Sequence, residues 1–123
     1  MESFGFQNLK VWEKAHGLVL EIYKATQQFP EEEKYGLVSQ IRRSAISICA
    51  NIAEGSKKSK KDFSRFLAIA RGSLEETKYH LILGKDLGYL SETIFEKLFH
   101  LSDETGKMLY RLIQSINPSL TED

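Results

Sequence analysis

The chain has 123 residues, with 17 basic and 17 acidic side chains, a formal net charge of zero and 41% hydrophobic residues. That length fits one domain around a single core, and the balanced charge excludes a protein that coats nucleic acid or anionic lipid with its whole surface. No apolar run approaches the ~20 residues of a membrane span, the first ten residues lack a secretory pattern, and the lone Cys49 allows no internal disulfide, so a cytoplasmic location is expected.

Apolar residues recur at close to 3.6 positions almost throughout, and only Pro30 and Pro118 punctuate them, which predicts four helices and no strands. The first is expected over about 8–28, from Asn8 as N-cap, with Trp12, Ala15, Val19, Ile22 and Tyr23 on one face. The second, about 31–54, opens on Glu31, Glu32 and Glu33 at the positive end of the helix dipole. It carries Leu37, Ile41, Ala45, Ile48 and Ile52 inward and closes at Gly55 as a C′ glycine. The third, about 61–87, aligns Phe63, Leu67, Ala70, Leu74, Thr77 and Leu81 and stops at Gly88. The fourth, about 91–117, starts from Ser91 as N-cap and presents Ile94, Leu98, Leu101, Thr105, Met108, Leu112 and Ile116. Such lengths with short connections predict an all-α, antiparallel up-down-up-down four-helix bundle as a single domain over 1–123.

Helix two is more apolar than one seam requires. Ile46, Ala50 and Ala53 line its far side, and Gln40, Ser44, Ser47, Asn51 and Glu54 run alongside as small or polar residues that admit a second helix. Ile69 and the mid-helix Gly72 add to that outer side from helix three, so helices two and three are expected to form a homo-oligomer interface. A monomer with scattered exposed apolar residues is the competing reading.

Between Arg42 and Arg71 the chain carries eight cations against Glu54 and Asp62, so the neutral total conceals a dipolar molecule. Lys57, Lys58, Lys60 and Lys61 crowd five positions; lysines in a turn bind phosphate as point charges without reading bases, and Ser56 and Ser59 offer further hydrogen bonds. With Arg65 they form a candidate nucleic-acid surface, against the blander reading of a solvated turn. Arg42 and Arg43, inside helix two, are expected either to join it or to pair with Glu54 or Glu76 at a subunit contact.

Catalytic and metal patterns are sparse. Glu13 and His16 give the only Glu-x-x-His match, where a di-iron bundle needs two, so no metal and no cofactor is expected. His80 and His100 each follow a glutamate, Glu76 and Glu96, at helix-surface spacing. Cys49 reads as a buried inert thiol, and no phosphate loop or nucleophile elbow occurs, so a non-enzyme is expected.

Three stretches, Leu9 to Ala15, Gly36 to Ser56 and Asp62 to Leu90, together resemble the small four-helix-bundle family encoded by intervening sequences within bacterial 23S ribosomal RNA genes. Ser39 to Arg43, Asn51 to Gly55 and Gly72 to Glu76 carry the likeness most specifically. The resemblance implies a bundle assembling as a ring of five with a role in binding RNA, and related bundles are accessory proteins to the reverse transcriptases of diversity-generating retroelements. The matching positions are Arg42, Arg43, Asn51, Glu54, Arg65 and Glu76. Two departures stand out: Cys49 occupies a position where many members have proline, and the basic turn is shortened to Ser56, Lys57 and Lys58. The leading expectation is a non-catalytic, RNA-binding homopentamer. The alternative is a protein-protein scaffold whose partner is a reverse transcriptase.

Overall fold

The computed structural model describes residues 5–117; Pro118 and the side chain of Asn8 lie outside the described residues. Four helices follow one another: α1 (Lys10–Thr26), α2 (Leu37–Gly55), α3 (Lys60–Asp86) and α4 (Glu92–Ile116). Short 3-10 turns precede α1 at Gly5–Asn8 and α2 at Glu31–Glu33, and among the described residues there is no strand.

Cross-helix pairs run in opposite senses. Arg42 in α2 reaches Thr26 at the end of α1, Ser44 and Ser47 meet Thr77 and Ser73 in α3, Lys78 and Lys85 meet Asp103 and Glu92 in α4, and Lys14 and Lys97 bridge α1 and α4 through Glu104 and Glu21. Each step up one helix is a step down its neighbour, so the bundle is antiparallel. Much of its core is the predicted stripe: Ala15, Val19 and Ile22, Ile41, Ala45, Ile48 and Ile52, Leu67, Leu74 and Leu81, and Leu98 and Thr105 are buried. Leu18 joins them from α1, whereas Tyr23 is exposed. In α4 the inward face runs through Leu98, Ser102, Thr105, Leu109 and Ile113, so Ile94 is exposed and Leu101, Met108, Leu112 and Ile116 are only half-buried, contrary to expectation. At one end Phe29 packs against Tyr89 at a tilt of 55°, ring centroids 5.3 Å apart, and Tyr89 Oη donates to Glu33 Oε2 at 3.0 Å, tying the α1–α2 connection to the α3–α4 turn. The lysine run lies at the opposite end.

Several boundaries differ from expectation for definable reasons. α1 starts at Lys10 with Leu9, not Asn8, in the N-cap position and no side-chain cap. The glutamate triplet forms a 3-10 turn instead of opening α2, because Gly36 leaves helical angles and Glu33 folds back to accept the Leu37 N–H at 3.1 Å. Gly55 ends α2 from within instead of acting as a left-handed C′ residue; Gly88, at φ 83°, is the described glycine with positive φ. What Gly55 supplies is close approach: a Cβ there would sit 2.6 Å from Phe66 Cβ and 2.9 Å from Phe63 Cδ1. Ser91 caps α4 as expected, accepting from the Ile94 N–H at 3.2 Å.

Candidate functional site

The turn between α2 and α3 is held by its own backbone and serines. Lys58 N–H donates to the Gly55 carbonyl at 2.9 Å, Ser56 Oγ donates to the Ala53 carbonyl at 2.8 Å, and Ser59 Oγ caps α3 by accepting from the Asp62 N–H at 3.2 Å. Of the two serines expected as phosphate donors, Ser56 spends its hydroxyl proton on the turn, whereas Ser59 only accepts and keeps its O–H. The turn's free charged chemistry is the lysines. Lys57, Lys58, Lys60 and Lys61 are all exposed and none makes an ion pair among the described residues, whereas Arg65 touches Asp62 loosely at 3.8 Å. Lys60 and Lys61 begin α3, where unsatisfied N–H groups and the positive end of the dipole disfavour cations.

Arg42 does something different from what the sequence suggested. Its Nε donates to Thr26 Oγ1 at 2.9 Å, Nη2 donates to the Tyr23 carbonyl at 3.3 Å, and the guanidinium lies 4.2 Å from the Tyr23 ring centroid. It pairs with neither Glu54 nor Glu76 and clamps α1 to α2. Arg43, one position on, is exposed and has no partner among the described residues.

The polar residues beside the α2 apolar row divide. Ser44 is 3% exposed and belongs to the interior: its Oγ lies 2.8 Å from Thr77 Oγ1 and 3.2 Å from His80 Nδ1. Ser47 bonds Ser73 at 2.9 Å, and Asn51 Nδ2 donates to the Ser47 carbonyl at 2.8 Å, so these also serve the seam with α3 of the same chain. Gln40 and Glu54 stay exposed, as does Glu76, whose carboxylate is 4.0 Å from His80 Nε2. The resulting Ser44–His80–Glu76 chain has the members of a nucleophilic triad without its setting. Ser44 Oγ also donates to the Ile41 carbonyl in mid-helix, and at 3% exposure it is closed to solvent. Burial holds the His80 pKa below the usual histidine value, with Glu76 opposing. Burial likewise pushes the Cys49 thiol up to about 12.

The apolar row itself is on the surface. Ile46 is 43% and Ile69 52% exposed, Ala50 is exposed and Ala53 half-buried, and no atom lies within 4 Å of where a Gly72 side chain would start. A feature the sequence reading missed is that α1 extends this face. Phe6, Trp12 and Val19 line one wall of an almost wholly apolar groove of about 360 Å³, with Ile46, Ala50 and Ala53 on the other. Trp12 is only half-buried, its ring stacked on exposed His16 at 4.8 Å, although its spacing placed it in the core. His100 pairs with Glu104 at 3.4 Å, not with Glu96. Among the described residues no cluster of three or more His, Cys, Asp or Glu could hold a metal ion, and no helix is long and apolar enough to cross a membrane.

The chain is therefore an all-α four-helix bundle with a basic inter-helix turn at one end and an apolar groove along α1 and α2. The sequence profile described as "23S rRNA-intervening sequence protein" matches residues 7–111, and the chain belongs to that family. It is similar to a crystal structure from Bacteroides thetaiotaomicron described as a protein with unknown function from the S23 ribosomal protein family. The two are 31% identical over 85% of this chain and 98% of that one, with a TM-score of 0.76. No curated protein matches the sequence significantly.

Proposed function

We propose that the protein is a non-catalytic homo-oligomer, a ring of five, that binds structured RNA through Lys57, Lys58, Lys60, Lys61, Arg65 and Arg43. The observation that carries this reading is the placement of four exposed, unpaired lysines at 57–61, two of them where a helix start disfavours positive charge. Folding gains nothing from that arrangement, whereas a phosphate backbone does. Arg42 is left out because its donors are spent on Thr26 and Tyr23. The apolar groove between α1 and α2, with Ile46 at its edge, supports self-association, and the number five comes from the family resemblance. The family's name, and the relative's assignment to an S23 ribosomal protein family, put ribosomal RNA first among the RNAs to test.

Four lysine contacts per subunit give a slope of log affinity against log salt of about −2.8 on single strands and about −3.6 on duplex, and symmetric copies multiply it. Titration of a folded ribosomal RNA fragment across salt should show that dependence. Changing the four lysines together to glutamine should remove most of the binding. Binding that survives the quadruple change with its salt slope intact would reject this surface.

A further inference from the structure

On the opposite side of the bundle from the apolar groove, α3 and α4 enclose an open groove of about 420 Å³. Its floor is closed by the buried Leu74 packed on Gly106, where a Cβ would come within 3.2 Å of Leu74 Cδ2, so the glycine lets the two helices close. Tyr110, 39% exposed, lies beside that floor with the Arg71 guanidinium 5.5 Å from its ring centroid. Lys107 and Arg111 complete the rim, one helical turn apart on α4.

Charge pairing in this groove is uneven. Its two carboxylates, Glu75 and Asp103, both go to Lys78, at 3.5 and 2.8 Å. Arg71, Lys107 and Arg111 are left with no ion pair among the described residues, although Arg71 keeps its ring contact with Tyr110. Three like charges converging on one concave surface repel one another, which a bound anion would relieve. The exposed Tyr110 ring beside them adds a flat surface that a bare anion does not use.

We propose that the α3–α4 groove binds a nucleotide unit, its base against Tyr110 and its phosphate held by Arg71, Lys107 and Arg111. The same chemistry is offered by a free nucleotide and by an unpaired nucleotide of an RNA strand. Stacking on an aromatic ring tolerates any base, so the site selects for nucleotides without reading sequence. It shares no residue with the lysine turn and stands or falls separately from the function proposed for it.

The test uses the full chain, a fluorescein-labelled 12-mer of oligoadenylate followed by anisotropy, and unlabelled AMP or inorganic phosphate as competitors. Tyr110→Leu should weaken oligoadenylate binding about tenfold, in keeping with loss of one stacked base. Arg71→Gln with Arg111→Gln should weaken it at least as much and flatten the salt dependence. All three positions are exposed, so far-ultraviolet circular dichroism should show an unchanged fold. If AMP competes in the wild type and fails in Tyr110→Leu, the groove takes free nucleotides. If only the oligomer binds and Tyr110→Leu weakens it, the source is a strand. Inorganic phosphate competing as well as AMP, or wild-type affinity in Tyr110→Leu, would overturn the proposal. Loss of binding confined to the lysine-to-glutamine variant would also overturn it while upholding the basic turn.

Discussion

Replacing Gly55 with alanine sets two opposing effects against each other at one atom. Near the end of a helix, alanine is intrinsically better than glycine by up to about 1 kcal/mol. Against that, the new methyl would meet Phe66 Cβ at 2.6 Å, and a Cβ is fixed to its backbone and cannot rotate away. Carbon pairs settle at roughly 3.5–4.0 Å, so α2 and α3 must separate by about 1 Å at their connected ends. Overpacking of this kind costs about 1–3 kcal/mol, and this contact, with a second at 2.9 Å to the Phe63 ring, belongs at the upper end. The net is a loss of about 2 kcal/mol, or a fall in Tm of roughly 5–10 °C for a chain of this size. Urea denaturation followed at 222 nm, at one protein concentration, should show a lower midpoint with an unchanged slope. Gly17→Ala is the internal control. Nothing lies within 4 Å of its Cβ position in mid-α1, so the same substitution there should raise stability by up to about 1 kcal/mol. A Gly55→Ala protein as stable as the wild type, or more so, would refute the close-packing account of that glycine.

Three further outcomes follow from the polar interior. Because burial lowers the His80 pKa, the unfolded chain takes up its proton first as pH falls below about 6.5. Stability should therefore be complete above that pH and decline below it, and His80→Asn should remove this component in a series of urea melts. The buried Cys49 thiol, pushed up to about 12, should not react with a thiol reagent at pH 8 until denaturant opens the bundle. Arg42→Ala should cost about 2 kcal/mol through the hydrogen bond to Thr26 and the stacking on Tyr23. Arg42→Lys should recover only part of that in the same melts, since an ammonium lacks the planar fork.

Periodicity made the fold readable because each helix hides one stripe, and a stripe at 3.6 spacing survives any error about where the helix begins. Ends were less legible, since Gly36, Gly55 and the glutamate triplet each had a second role that only the neighbouring helix reveals. Gly55 answers to Phe66, and Glu33 caps Leu37 while accepting from Tyr89. The same limit applied to surfaces. Ser44 and Ile46 are two positions apart with similar claims to an outer face, yet one bonds Thr77 in the interior and the other is exposed. The lysine turn was visible because its four lysines fall within five positions of the chain. The α3–α4 groove was not, because Arg71 and Tyr110 meet only once the helices pair.

Everything proposed for the basic turn depends on several copies of it being presented together. Light scattering coupled to size exclusion at micromolar concentration tests this most directly. The expected result is about 70 kDa, five times the 14.1 kDa chain, falling toward a single chain when Ile46 is replaced by glutamate without loss of helicity. A wild-type mass of 14.1 kDa at that concentration would contradict the account.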